Sequence, residues 1–202
     1  MKRFLIISLL ITALLTLCAC KSEEYGVGDS VFIGYIDYNV YEDDTPDESK
    51  RIEWIVLDNT GDELLLITKY PQGEMPFSTS NTDTVWRDSI ARTMLNGDFY
   101  EFCFPLDERN NIVSGLNDNP DYATDDYVFL LSCEEASEYF KNDNARRLVD
   151  ESGNGVSWWL RTSGIDSRHA MLVNPDGSIS VDGAPVTDNH YLRPAIRIKI
   201  NG

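Results

Sequence analysis

Hydrophobic side chains in this chain recur at every second residue toward both ends, and at helical spacing only in the middle. That change of period limits the folds open to it more than any other feature. Residues 51–58 (RIEWIVLD) and 63–70 (ELLLITKY) are alternating runs separated by NTGD, a turn chemistry that joins antiparallel strands. Ile52, Trp54 and Val56 share one face of the first run, and Leu64, Leu66 and Thr68 are their expected partners. Upstream, residues 30–41 (SVFIGYIDYNVY) are rich in β-branched and aromatic side chains. The acidic EDDTPDESK that follows at 42–50 reads as a solvated loop.

From 85 to 104 the period lengthens, with Trp86, Ile90, Met94 and Leu95 at helical spacing. Gly97 is expected to stop this helix, and Asp98 to cap a second carrying Phe99, Phe102 and Cys103 inward, ended by Pro105. Residues 126–132 (DYVFLLS) read as a buried strand. They run into Ser132 and Glu135, spaced as a capping box for a helix that turns Ala136, Tyr139 and Phe140 toward the core. Strands return over 156–163, 170–181 and 192–200, with NPDG at 174–177 as a turn. Ile196, Ile198 and Ile200 alternate with Arg197 and Lys199, giving one buried and one wet face. The order predicts a single α+β domain over 27–202: N- and C-terminal antiparallel strands sharing a sheet, with helices inserted in the middle.

The N-terminus carries an address. Lys2 and Arg3 precede an apolar stretch from Phe4 to Leu17, 14 residues long. Spanning a bilayer takes about 20 residues, so this length suits a secretory leader. Leu17-Cys18-Ala19-Cys20 resembles the lipobox of bacterial lipoproteins. The resemblance implies cleavage after Ala19, lipidation of Cys20 and a short tether over 20–26. The expected location is the bacterial cell envelope, on the extracytoplasmic side, with the membrane as a partner through the N-terminal lipid.

Loss of residues 1–19 removes Lys2 and Arg3, leaving 15 Lys+Arg against 34 Asp+Glu, a formal −19. Such an acidic chain lacks the basic face that phosphate binding requires, so no nucleic-acid partner is expected. Its acidity serves solubility, or the binding of cations or a basic partner. After processing, Cys103 and Cys133 are the cysteines left in the globular part. Export permits their oxidation. Both nonetheless sit in apolar runs and read as two free, buried thiols.

The chemistry-bearing candidates cluster in the last third. In SWWLRTSG (157–164), strand alternation puts Trp158 on one face and Trp159 with Arg161 on the other. A tryptophan ring beside a guanidinium makes a platform for a sugar or carboxylate, and Arg193 in YLRPAIRI repeats the pattern. The structural alternative is that Arg161 and Arg193 pair with buried carboxylates and brace the terminal strands. His169 follows Asp166 and His190 follows Asp188, so two loops that met could hold a divalent metal such as zinc. DNPDYATDD (118–126) has carboxylates suited to calcium but lacks the glycine and final glutamate of an EF-hand. No serine elbow, phosphate loop or dinucleotide fingerprint stands in the sequence, and no cofactor is called for.

Taken in order, VGDSVFIGYI, IEWIVLD, VWRDSIARTMLNGDFYEFCFPLDERNNI, VFLLSCEEASEYF, WWLR, AMLVNPDGSI and LRPAIRI resemble the bacterial domain family DUF6273, from about Val27 to Ile200. That family carries no assigned reaction, so the resemblance implies no catalytic residue. The closing strands look more distantly like the C-type-lectin-like fold, shared with formylglycine-generating enzymes. Those enzymes use paired cysteines near their C-terminal core, and the stretch from WWLR to LRPA contains none. The expected function is non-catalytic recognition of a glycan or protein ligand. The alternative is an envelope-acting hydrolase or metal-dependent enzyme built on Asp166, His169, Asp188 and His190.

Overall fold

The computed structural model describes residues 25–36, 47–117 and 123–200. The leader, Cys20, most of the tether and residues 118–122 of the calcium-like stretch lie outside the described residues.

In chain order the elements begin with β1 (Ser30–Tyr35), β2 (Arg51–Asn59), β3 (Glu63–Thr68) and β4 (Glu74–Pro76). A helical run follows: α1 (Ile90–Met94), a π-helical turn (Leu95–Phe99) and α2 (Tyr100–Cys103), then α3 (Leu106–Arg109). Short strands come next: β5 (Ile112–Val113), β6 (Gly115–Asn117), β7 (Thr124–Asp126) and β8 (Val128–Phe129). Then come α4 (Cys133–Tyr139), α5 (Asp143–Arg146), β9 (Leu148–Val149) and β10 (Gly155–Val156). The chain continues with β11 (Trp158–Ser163), β12 (His169–Val173), β13 (Ile179–Pro185), β14 (Asn189–Tyr191) and β15 (Ala195–Lys199).

The first sheet has the order β1-β2-β3-β15-β5, with β8 also on β15, so strands from both halves of the chain share it. Trp54 faces Thr68 and Val56 faces Leu66, as alternation predicts. A bulge after Val56 then sets Asp58 against Leu65 and Asn59 against Leu64. The extra residue lets both Val56 and Leu57 be buried, which strict alternation forbids. Ile196 and Ile198 pair with Leu66 and Leu64, and all four are buried. Trp54 packs on Phe104 (centroids 6.1 Å apart), which meets Phe99 edge-on, so the helical run covers this part of the sheet. Each such fully buried side chain contributes on the order of 1.5–3 kcal/mol.

The helical run departs from its expected form. Ser89 caps it, its hydroxyl accepting from the Arg92 N–H at 3.0 Å. Gly97 does not stop it, because a stop needs the left-handed backbone that Gly97 does not adopt. The run continues as a π turn in which the Tyr100 N–H reaches back to the Leu95 carbonyl, and the extended Phe104 ends it before Pro105. Leu95 and Phe99 are both buried by this wider turn, whereas Asp98 caps nothing and Ile90 is exposed. The capping box holds: Ser132 Oγ accepts from the Glu135 N–H, and Glu135 accepts from the Ser132 N–H.

The second sheet runs β13-β12-β11-β14-β4, antiparallel except for the β11–β14 pair. Its β12–β13 hairpin turns at NPDG, where Gly177 has φ of 90° and lies against the Asp143 carbonyl. A Cβ there would sit 1.8 Å from that oxygen, so only glycine fits. The strand expected over 126–132 is shorter than its apolar run: β8 covers two residues, while Leu130, Leu131 and Ser132 stay buried without pairing in a ladder. Cys103 and Cys133 are not bonded to each other, and both are half-buried rather than buried as expected.

Candidate functional site

Trp158 and Trp159 do point to opposite sides of β11, but both sides are covered and both rings are fully buried. Trp158 meets Phe140 edge-on and its Nε1–H donates to the Arg146 carbonyl at 3.2 Å. Trp159 meets Phe77 and the His190 ring, and its Nε1–H donates to the Met75 carbonyl at 3.0 Å. A surface platform of these rings with Arg161 is therefore overturned. The strand lies third of five in its sheet, so alternation chooses a side without exposing either.

Arg161 and Arg193 are buried too, in different ways. Arg161 forms an ion pair with Glu135, donates to the Leu130 carbonyl at 2.8 Å, and lies over the Phe129 ring. The capping glutamate of α4 thus also neutralises a buried guanidinium. Arg193 has no carboxylate partner among the described residues. It donates to the Thr68 carbonyl (3.1 Å) and the Arg146 carbonyl (3.2 Å), with its Cζ 5.1 Å from the Phe140 centroid and 5.2 Å from that of Trp158. Burial pushes its pKa down to about 10. The expected bracing role fits both arginines, but the expected carboxylate pairing only Arg161.

Asp166, His169, Asp188 and His190 are not brought together. His169 Nδ1 bonds Asp166 at 2.6 Å at the start of β12. His190 lies on β14, across β11, with its Nδ1 2.5 Å from Ser157 Oγ and its Nε2 buried without a partner. Among the described residues no group of three or more His, Cys, Asp or Glu is placed to hold a metal, which overturns the metal centre. Burial lowers the His190 pKa, with Asp188 and Glu74 opposing. Within 118–126, Asp126 is withdrawn from calcium duty by a network of its own.

That network frames a different site. Buried Asp126 accepts from Trp86 Nε1 (2.9 Å), Asn117 Nδ2 (3.0 Å), Thr124 Oγ1 (2.7 Å) and Arg92 Nε (2.6 Å). The next residue, Tyr127, is clamped from the π turn. Asn96 Oδ1 accepts from the N–H groups of Tyr127 (2.9 Å) and Val128 (3.2 Å), while its Nδ2 donates to the Val128 carbonyl (2.8 Å). So held, the Tyr127 ring stacks on Tyr100 with centroids 4.5 Å apart and planes at 13°. Tyr127 is 40% exposed, whereas Tyr100 is packed against the core. Burial and Tyr127 raise the pKa of the Tyr100 hydroxyl, and the charge of Arg109 opposes them. Arg109, ending α3, is half-buried; its Nε is enclosed without a hydrogen bond, and it forms no ion pair among the described residues.

Asn96, Tyr100, Arg109 and Tyr127 carry no mark in the sequence reading. One signal was present: Tyr127 alternates with buried Val128 and so points away from it, and Asn96 and Tyr100 are one helical turn apart. The π turn that supplies Asn96 is itself a feature frequent at functional sites.

Compared with known proteins, residues 61–200 match the family described as "Domain of unknown function (DUF6273)". No curated protein and no solved structure matches the chain.

Proposed function

The chain belongs to the DUF6273 family, and on that premise we propose that it is a lipid-anchored, extracytoplasmic, non-catalytic recognition module of the bacterial envelope, binding a glycan or protein at Tyr127. One observation carries the reading: a partly exposed tyrosine whose backbone is clamped by Asn96 and whose ring is backed by Tyr100. Such a ring presents a flat apolar face and loses little conformational freedom on binding. The anchored location is supported by Leu17-Cys18-Ala19-Cys20 after its apolar leader. A C-type-lectin-like architecture belongs to the same proposal, supported by early and late strands sharing the first sheet.

The test is a screen of envelope glycans and proteins with the purified full-length protein and its Tyr127→Ala variant. Ligands retained by the wild type and lost by the variant support the reading; ligands bound equally by both overturn it. For the anchor, Cys20→Ser is expected to leave the membrane fraction, and a variant still processed and membrane-bound refutes it.

A further inference from the structure

We infer that the Tyr127 site continues across the β6–β7 ladder to Leu116 and takes a cationic peptide segment. A Lys or Arg of that segment pairs with Asp125, and its neighbouring apolar side chains lie on Leu116 and Tyr127. The inference rests on the recognition reading above and adds the chemical class of the partner. Strand register joins the three residues. In the β6–β7 pair, Asn117 faces Thr124, Leu116 faces Asp125 and Gly115 faces Asp126. Asn117 and Thr124 are buried and both donate to the buried Asp126 carboxylate, so alternation turns Leu116 and Asp125 outward. Both are exposed, Leu116 to 71%. Side chains opposed in this way have Cβ atoms about 4.5–5.5 Å apart. Tyr127 is the next outward residue after Asp125, with buried Asp126 between them.

Asp125 selects the partner. Its carboxylate forms no hydrogen bond or ion pair among the described residues, although it stands between two exposed apolar side chains. Arg92 alongside, whose Nη2 reaches the Asp125 carbonyl at 3.5 Å, is already neutralised by Asp126. A leucine and a tyrosine around an open carboxylate match an extended segment in which a cation is flanked by aliphatic side chains. The tyrosine face attracts the same cation, and the stem of a Lys or Arg covers apolar surface while its head stays with the acid. The chain's 34 acidic residues against 17 basic ones draw such a partner in and repel an acidic one. A neutral glycan gains nothing from that field.

The probes are a capped peptide of repeated Leu-Gly-Arg-Gly units, the same peptide with Glu for Arg, the same with Ser for Leu, and neutral cellotetraose. Each is titrated by calorimetry into the full-length protein in non-ionic detergent, with tyrosine ring resonances locating the site. The arginine peptide is expected to bind about tenfold more tightly than either altered peptide, to shift the Tyr127 and Tyr100 signals, and to weaken as salt rises. Asp125→Asn is expected to remove most of the preference for Arg over Glu, and Leu116→Ser most of that for Leu over Ser. Both variants should stay folded, since both side chains are exposed. Equal binding of the arginine and glutamate peptides, no binding of the arginine peptide, or a variant that leaves its preference unchanged overturns the cationic-peptide inference. Cellotetraose bound as tightly as the arginine peptide overturns it in favour of a glycan. None of these touches the recognition reading, which fails instead if Tyr127→Ala retains every ligand of the wild type.

Discussion

Trp86 and Asp126, forty positions apart in sequence, are joined inside the protein by an indole N–H donated to a carboxylate oxygen at 2.9 Å. Three further donors converge on the same carboxylate, from Asn117, Thr124 and Arg92. Asp126→Ala leaves buried donors without an acceptor and Arg92 without its counter-charge. It is expected to lower stability by about 3–5 kcal/mol in urea unfolding, with Asp126→Asn intermediate.

Asn96 acts one step closer to the surface. Asn96→Ala removes three bonds to the Tyr127–Val128 backbone and is expected to cost about 1–3 kcal/mol. The Tyr100 and Tyr127 ring signals should move together as the stack loosens. Unchanged ring signals would show that the clamp does not position the platform.

Glu135 has two separable duties, capping α4 and neutralising Arg161. Glu135→Gln can keep the cap but not the charge, whereas Glu135→Ala loses both. The alanine variant is expected to lose about 3 kcal/mol and the glutamine variant clearly less. Equal losses would mean that the cap contributes little.

Thr68 carries a hydroxyl that is buried without a partner beside the carbonyl bound by Arg193. Thr68→Val replaces that hydroxyl with a methyl of similar shape and is expected to raise stability by about 1 kcal/mol, measured as a higher midpoint in urea. A lower midpoint would show that the hydroxyl is satisfied in solution.

His190 makes stability depend on pH. Burial holds its folded pKa below the unfolded value, so the folded state resists protonation that the unfolded chain accepts. Its contribution is therefore present above the unfolded pKa, about 6.5, and is lost as pH falls through the folded one. Between pH 7 and 5, the wild-type melting temperature should fall more than that of His190→Gln. Parallel curves for the two would sink this account.

Local chemistry was legible in the sequence wherever neighbouring residues decide it. The NTGD hairpin, the Ser132–Glu135 capping box, the NPDG turn and the alternation of β15 are all settled by short-range geometry. Long-range covering was not legible. Alternation separated Trp158 from Trp159 but carried no information that Phe140 would cover one and Phe77 the other. Gly97 looked like a stop because its conformation depends on the tertiary burial of Leu95 and Phe99, which favours continuing the turn. The Tyr100–Tyr127 stack joins residues from distant segments, and no spacing rule reaches that far.

The placement of β15 has a consequence for how the molecule comes into being. It is the wedge between β3 on one side and β5 and β8 on the other, and Arg193 just before it reaches back to Thr68, 125 positions earlier. Until residues 195–199 are delivered, β3, β5 and β8 have unpaired edges and the first sheet is split. Topologies of such high contact order mature slowly. One short strand therefore ties segments far apart in sequence into a single sheet, so that its two halves close together rather than independently.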